Sequence, residues 1–100
     1  MNITTKAIRM WSKERNLHDA DPTKQMLKLI EEVGELSQAI AKNKSSEKIK
    51  EEIGDVFVVI TILAQQLNLK VEDCVEIAYR KIMDRKGKMV NGVFVKEEDL

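Results

Sequence analysis

Apolar residues recur with the period of an α-helix over most of this chain. In four stretches the apolar residues recur three and four positions apart, a spacing that places them on one side of an α-helix. Asp21 before Pro22 is typical of a helix start, because aspartate can cap a first turn and proline fits the first helical position. The predicted helices cover residues 3–16, 22–42, 46–67 and 71–86 of a single domain, residues 1–100.

The third predicted helix is apolar on almost every side after Asp55. Its segment VFVVITILA, residues 56–64, contains β-branched residues that would also suit a strand, but the length of the whole pattern favours a helix. A helix that is apolar all round belongs in the centre of a bundle. The apolar stripe of the fourth helix predicts that several of its side chains are buried: Val71, Cys74, Val75, Ala78 and Ile82.

The C-terminal tail, residues 87–100, loses the helical period. Its segment KMVNGVFV alternates around Asn91 and Gly92, a residue pair that suits a two-residue hairpin turn. We therefore predict an all-α fold, a four-helix bundle with a short C-terminal β-hairpin or extended arm. A chain of 100 residues is small for an independent core, so oligomerisation would help to complete the bundle.

Charge and composition exclude several classes of partner. The chain has 17 basic and 17 acidic side chains, so it lacks the positive surface of a protein that binds DNA or RNA nonspecifically. The N-terminus lacks the apolar core of a signal peptide, and the longest apolar run is too short to cross a bilayer. A single cysteine cannot form an internal disulfide. We expect a cytoplasmic protein without stable nucleic-acid or membrane binding.

An acidic pentapeptide occurs twice, as EEVGE at residues 31–35 and as EEIGD at residues 51–55. On a helix, positions three apart lie about 60° apart, so Glu32 and Glu35 project to one side and Glu52 and Asp55 do the same on the next helix. Glu52 falls among the apolar positions that face the core. Each helix therefore offers a pair of carboxylates, and the two pairs can face each other.

Buried carboxylates require a positive partner. Ionised acids cost several kcal/mol each to bury without compensation, and clustering raises their pKa values. A divalent cation would resolve this conflict, and oxygen ligands favour Mg²⁺, with Mn²⁺ as a possible substitute. The alternative is ordinary surface ion pairing, with Lys28 before the first pair and Lys48 before the second. Separately, we expect Gly34 and Gly54 to permit close helix packing rather than to contact a ligand.

The chain resembles the MazG-like proteins, a branch of the all-α nucleoside triphosphate pyrophosphohydrolases. Their EExxE and ExxD motifs match residues 31–35 and 52–55, and WSKERNLH at 11–18 and DRKGKMVNGVFVK at 84–96 are similar to small phage-type members. The resemblance implies Mg²⁺-dependent hydrolysis of an NTP or dNTP to the monophosphate and pyrophosphate. It also implies a homodimer or homotetramer, and it implies four metal ligands: Glu32, Glu35, Glu52 and Asp55.

Other residues have candidate roles in such a reaction. A carboxylate that the metal does not saturate, Glu35 or Glu32, could accept the proton of the attacking water. Lys81 and Arg85, four residues apart near the end of the fourth helix, could bind phosphate, although they could equally stabilise the helix terminus. Lys28 is a phosphate-binding candidate by resemblance.

Base recognition depends on few aromatic residues. Trp11 could stack on a base, and core packing is the competing interpretation. A different class of function also remains open, namely a helical module of the same fold that binds nucleotide or protein without catalysis.

Overall fold

The computed structural model of the protein describes residues 2–100, with side chains from residue 3 onward, and it confirms the all-α fold with a short hairpin. The helices are α1 (Asn2–Glu14), α2 (Pro22–Ala41), α3 (Ser46–Gln66) and α4 (Val71–Ile82). The hairpin consists of β1 (Gly87–Val90) and β2 (Val93–Lys96), and a short 3-10 turn, Glu97–Asp99, follows it.

The helix ends follow from the local sequence. The Asp21 carboxylate accepts a hydrogen bond from the Thr23 backbone N–H at 2.9 Å, and the Ser45 hydroxyl accepts one from Lys48 N–H at 3.2 Å. Asparagine follows the first three helices, and Asn16, Asn43 and Asn68 all have positive φ angles of 51–62°. Asparagine tolerates this left-handed conformation better than most residues, so each of these helices stops and reverses where the sequence places one.

The centre of the fold is α3, which packs most extensively on α2 and less so on α1 and α4. Its buried side chains Val59, Ile62 and Ala64 form the apolar core together with Ala39 of α2. Polar side chains are also buried there with partners. Gln25 donates a hydrogen bond to the Val59 carbonyl oxygen at 3.1 Å. The central placement of α3 agrees with its all-round apolar sequence.

The prediction for α4 was wrong in two respects. The helix ends at Ile82, so Arg85 lies outside it, because the chain turns after Met83 to begin the hairpin. Of its predicted buried stripe only Val71 is buried, whereas Cys74, Val75, Ala78 and Ile82 are exposed. The physical reason is that α4 leaves α3 at a bend of 104° and contacts the rest of the chain mainly at its first turn.

An open apolar groove lies between α3 and α4. It is lined by side chains of both helices and their connection: Ile60, Leu63, Ala64, Leu67, Leu69, Val71, Cys74, Val75 and Ala78. The protein exposes 7754 Å² of surface, whereas a compact monomer of 11.5 kDa would expose about 5,800 Å². Its radius of gyration is 16.3 Å, against about 13 Å for a compact domain of this length. The single chain therefore exposes more surface than a compact domain of its size, and many large apolar side chains are part of that surface.

The hairpin has the predicted turn. Asn91 and Gly92 have φ angles of 50° and 80°, as a type I′ turn requires, and Val90 pairs with Val93 beside them. Gly87 pairs with Lys96, and the Phe94 ring and Val95 carbonyl lie against it so closely that a Cβ would overlap both.

The glycines of the repeated pentapeptide do not have the role that we expected. A Cβ added at Gly34 or Gly54 would meet no atom within 4 Å, so neither glycine permits a close helix approach within this chain. Both lie on the side of their helices opposite the buried glutamates, facing open space.

Within residues 2–100, none of the helices is individually long and apolar enough to cross a membrane. Only α3 and α4 taken together, across their bend, reach that length and composition.

Candidate functional site

The α2–α3 pair brings three carboxylates together. Glu32, Glu52 and Asp55 each offer an oxygen within 4.8 Å of the others. Glu32 and Glu52 are buried, with relative exposures of 7% and 4%, whereas Asp55 is exposed at the edge. The two glutamates occupy the same place in the repeated pentapeptide, and the antiparallel hairpin of α2 and α3 makes them face each other.

One lysine contacts each buried glutamate. Lys28 Nζ lies 3.3 Å from Glu32 Oε1, and Lys48 Nζ lies 3.0 Å from Glu52 Oε1. Both lysines precede their glutamate by one helical turn, and both are about half exposed. These contacts match the surface ion pairs that the sequence also suggested, but the acidic partners are in the interior.

The second oxygen of each glutamate has no partner among the described residues. Oε2 of Glu32 and Oε2 of Glu52 are buried without a hydrogen-bond donor. An unpaired buried carboxylate oxygen is costly, and a cation beside both oxygens would remove that cost. All the atoms that could bind a cation here are carboxylate oxygens, and such ligands suit Mg²⁺ or Mn²⁺. The residues present therefore fit a divalent cation.

The electrostatics of the site agree with crowded negative charge. Desolvation, followed by the charges of Glu32 and Glu52, raises the pKa of Asp55 above its usual value. Hydrogen bonding to Glu32 raises the pKa of Lys28, and hydrogen bonding to Glu52 raises that of Lys48. Both lysines therefore remain cationic at neutral pH.

Glu35 lies beside the three carboxylates but outside their close group. It is exposed, and the nearby charge of Glu32 is the main cause that raises its pKa. Glu35 lines a recess of about 360 Å³ that runs from Glu52 toward the turn between α2 and α3. The other residues of this recess are Gln38, Ala39, Lys42, Lys44 and Lys48. It is the part of the surface where a ligand could contact both the acids and several lysines.

Lys81 and Arg85 line a different recess, of about 430 Å³, between the end of α4 and the hairpin. Its other lining residues are Asp84, Lys86, Lys96, Glu97 and Glu98. No residue of the carboxylate group lines this recess. Lys81 and Arg85 lie together as expected, although Arg85 is beyond the end of α4. Within one chain they face side chains of mixed charge rather than the carboxylate group.

Trp11 lies on α1 and does not line the recess beside the acids. It is 47% exposed and lines an apolar recess of about 340 Å³ with Thr4, Ala7, Ile8 and Val58. The Arg15 guanidinium lies over its ring, 4.2 Å from the centroid, and donates a hydrogen bond to the Trp11 carbonyl. One ring face is thus already covered by a cation. The remaining indole surface borders the recess.

Sequence reasoning treated Lys48 only as a surface ion pair. The structure makes it equivalent to Lys28, and the signal was available, since both lysines stand four residues before a glutamate of the repeat. Lys42 and Lys44 were also missed. Their neighbourhood depends on how the chain turns between the helices, which hydrophobic periodicity does not describe.

These features define an all-α protein with a carboxylate site suited to a divalent cation. The family model of the MazG nucleotide pyrophosphohydrolase domain matches residues 20–90, which include both acidic motifs and the start of the hairpin. The chain belongs to this family. Its hydrolases are generally dependent on a divalent metal, consistent with the acidic group between α2 and α3.

A phage protein is similar to this chain over part of its length. The uncharacterised 18.2 kDa protein in the rep-hol intergenic region of Haemophilus phage HP1 (strain HP1c1) is 53% identical over 62 residues. The aligned region covers 61% of this chain but only 37% of the phage protein. No solved structure matches the chain significantly.

Proposed function

We propose that this protein hydrolyses nucleoside triphosphates, NTP or dNTP, to the monophosphate and pyrophosphate with Mg²⁺, and so clears or balances nucleotides. The observation that carries the proposal is the pair of buried glutamates whose Oε2 atoms lack partners. Family membership gives the class of reaction.

Glu32, Glu52 and Asp55 would hold the cation through their facing oxygens, with Glu35 as a fourth, more exposed ligand or neighbour. When bound, a divalent cation supplies charge neutralisation on phosphate oxygens and acidifies a bound water. Lys28 and Lys48 would restrain the carboxylates of Glu32 and Glu52 through their Oε1 atoms, which leaves the Oε2 atoms for the cation.

The reaction needs no covalent intermediate with the protein. The oxygen of a water bonds to the α-phosphorus as the bond to the bridging oxygen breaks, and the pyrophosphate leaves with that electron pair. The water's proton must pass to a base. Glu35 is our first candidate for this base, because it borders the recess and lies outside the close group of three carboxylates. Glu32 is a weaker choice for that base because its oxygens face Lys28 and the cation site.

Substrate binding would use cations on the surface. Lys28 has an exposed ammonium with donors to spare, and Lys81 and Arg85 are a second phosphate-binding pair. Since Lys81 and Arg85 line a separate recess, their role requires that another copy of the chain bring them to the acids. Trp11 would stack on the base with the part of its ring that Arg15 leaves free.

The proposed working form is therefore a homodimer or homotetramer. The excess exposed surface is about 1,950 Å² per chain, or about 3,900 Å² for two chains, which lies in the range that obligate homodimer interfaces bury in total. The groove between α3 and α4 is an apolar part of that surface.

Product analysis tests the proposed reaction directly. The protein is incubated with a panel of NTPs and dNTPs, with Mg²⁺ or with excess chelator, and monophosphate, diphosphate, pyrophosphate and phosphate are separated. We expect monophosphate and pyrophosphate in equal amounts, only with the metal. Glu35→Gln and Asp55→Asn should abolish turnover while circular dichroism shows an unchanged helical content.

Two results would contradict the proposal. Release of nucleoside diphosphate and free phosphate would mean that the bond between the β- and γ-phosphates is cleaved instead of the bond between the α- and β-phosphates. Nucleotide binding without turnover on any substrate of the panel would instead support the non-catalytic binding module.

A further inference from the structure

We propose that Lys42 and Lys44, in the turn between α2 and α3, bind the pyrophosphate end of the triphosphate. This inference rests on the proposed function, and it assigns the direction in which the substrate lies. Both lysines line the recess that also contains Glu35, Lys48 and the buried Glu52. The recess thus joins the carboxylate group at one end to two lysines at the other.

The recess has more lysines than acidic residues, which favours the binding of an anion. Lys48 is paired with Glu52, whereas neither Lys42 nor Lys44 lies within 4.0 Å of an acidic oxygen in the part of the chain that the structure describes. Two unpaired ammonium groups beside a carboxylate site leave positive charge at one end and negative charge at the other. A metal-bound polyphosphate has the complementary arrangement, because the cation covers the acids and the outer phosphate oxygens remain anionic.

The backbone explains why both lysines reach the recess. Asn43, between them, is left-handed with φ 51°, and the Lys44 and Asn43 N–H groups donate to the carbonyls of Ala39 and Ile40 at 2.9 and 3.1 Å. These are the hydrogen bonds of a Schellman helix end. The reversal at Asn43 brings Lys44 back over the last turn of α2, beside Gln38 and Lys42.

The acidic residues and the two lysines of the recess are separated along the axis of α2. Glu35 and Lys42, the C-cap residue of α2, are seven positions apart, which corresponds to about 10 Å along the helix axis. We therefore assign the phosphate beside the carboxylates and the phosphates beside Lys42 and Lys44 to different positions along the triphosphate. The α-phosphate, where water attacks, belongs at the acidic end, and the leaving pyrophosphate belongs at the lysine end. Lysines there would stabilise the charge that grows on the leaving group.

Binding measurements can separate this role from general attraction of anions. We compare the wild type with Lys42→Gln/Lys44→Gln and with a control, Lys6→Gln/Lys24→Gln, which removes two exposed lysines elsewhere. The ligands are a dNTP analogue with a methylene bridge between the α- and β-phosphorus, which cannot be cleaved there, and the nucleoside monophosphate. Isothermal titration calorimetry with Mg²⁺ gives each affinity, and circular dichroism verifies the fold of each variant.

The proposal predicts that Lys42→Gln/Lys44→Gln binds the analogue about 10- to 100-fold more weakly, the loss expected for two charge-assisted phosphate contacts. The monophosphate affinity of this variant and both affinities of the control should stay within about threefold of the wild type. Turnover should fall in the same variant, because fewer contacts stabilise the leaving group.

Three results would overturn it. Unchanged affinity for the analogue would show that the two lysines are not part of the binding site, whereas the proposed hydrolase function would stand. Equal weakening of the analogue and the monophosphate would place the lysines at the α-phosphate. Failure of the wild type to bind the analogue or to cleave any triphosphate would contradict the proposed function itself, and this inference with it.

Discussion

The α2–α3 pair and the C-terminal part of the chain, α4 with the hairpin, differ in the side chains that they bury. Between α2 and α3 two glutamates are buried, whereas most of the apolar stripe of α4 is exposed. Each arrangement is unfavourable for an isolated chain. The comparison is consistent with the two partners that we propose, a cation for the buried acids and another apolar surface for α4.

The two parts also differ in how completely one chain builds them. The turns, caps and ion pairs of α2 and α3 all lie within the hairpin that the two helices form. The α4 segment is held mainly at its start, where the Arg9 guanidinium makes two hydrogen bonds to the Glu72 carboxylate at 2.7 and 2.9 Å. We therefore expect changes in α2 and α3 to affect chemistry and changes in the apolar stripe of α4 to affect assembly.

The largest expected effect is the loss of activity when a buried glutamate between α2 and α3 is replaced. Glu52→Gln should lower kcat/KM by at least about 100-fold, because it removes the charge of a buried cation ligand. Glu51→Gln is the matched control, since Glu51 is the exposed neighbour in the same motif. Steady-state pyrophosphate release should leave this control within about threefold of the wild type. Equal losses in both variants would mean that general negative charge, rather than this site, is required.

The next effect concerns assembly. Val75→Glu places a charge in the apolar groove between α3 and α4, so the dissociation constant of the oligomer should rise by at least about 100-fold. Light scattering after size-exclusion chromatography over a range of concentrations measures this. Lys70→Glu also adds negative charge, at the exposed start of the same helix, and should leave the oligomer intact. If the wild type is monomeric at every concentration, oligomerisation cannot explain why the apolar stripe of α4 is exposed.

A smaller effect concerns the contact between α1 and α4. Hydrogen bonds from Arg9, aided by one from Thr5 at 3.0 Å, lower the pKa of Glu72 to about 2. A lowered pKa in the folded state stabilises the protein above the unfolded pKa of about 4.3, and that stabilisation is lost as the pH falls toward 2. Because the pair is partly solvated, Glu72→Gln should lower the free energy of unfolding at pH 7 by about 1 to 2 kcal/mol.

Urea unfolding of the wild type and Glu72→Gln at several pH values tests this contact. The difference between the two should shrink as the pH falls from 5 to 2. Glu76→Gln removes an exposed ion pair with Arg80 on the same helix and should cost less than about 0.5 kcal/mol at any pH. A difference for Glu72→Gln that does not depend on pH would show that its charge is not what stabilises the contact.

The smallest effect concerns the glycines of the repeat. Gly34→Ala and Gly54→Ala should each raise the free energy of unfolding by up to about 1 kcal/mol, since alanine favours helices and the space is open. Gly87→Ala should lower it, because its Cβ would overlap Val95 and Phe94. Thermal unfolding of the three variants compares them. Destabilisation by either helical substitution would indicate that a second copy packs against that glycine.

Much of the fold could be predicted from the sequence because its signals are local. Helical periodicity located all four helices within a few residues, and Asn91 with Gly92 located the hairpin turn. The end of α4 was missed because Lys81 and Arg85 continue the helical spacing while the chain turns at Met83. The burial of α4 was missed because its apolar stripe does not specify whether the covering surface belongs to the same chain.

The site could be predicted only where the motif determines geometry. The repeat places Glu32 opposite Glu52 because both helices present the same position to their interface. Spacing alone could not separate Glu35, which is exposed, from the close group of three carboxylates. Lys42 and Lys44 meet at the recess through a left-handed asparagine, a tertiary feature with no periodic signal.

Mn²⁺ binding, measured by electron paramagnetic resonance, tests most directly whether the buried glutamates form a cation site. The wild type, Glu52→Gln and Glu51→Gln are titrated in the presence of the uncleavable nucleotide analogue. We predict that the wild type and Glu51→Gln bind Mn²⁺ alike and that Glu52→Gln binds it at least about tenfold more weakly. Equal binding by all three proteins, or no binding by the wild type, would contradict the assignment of this site.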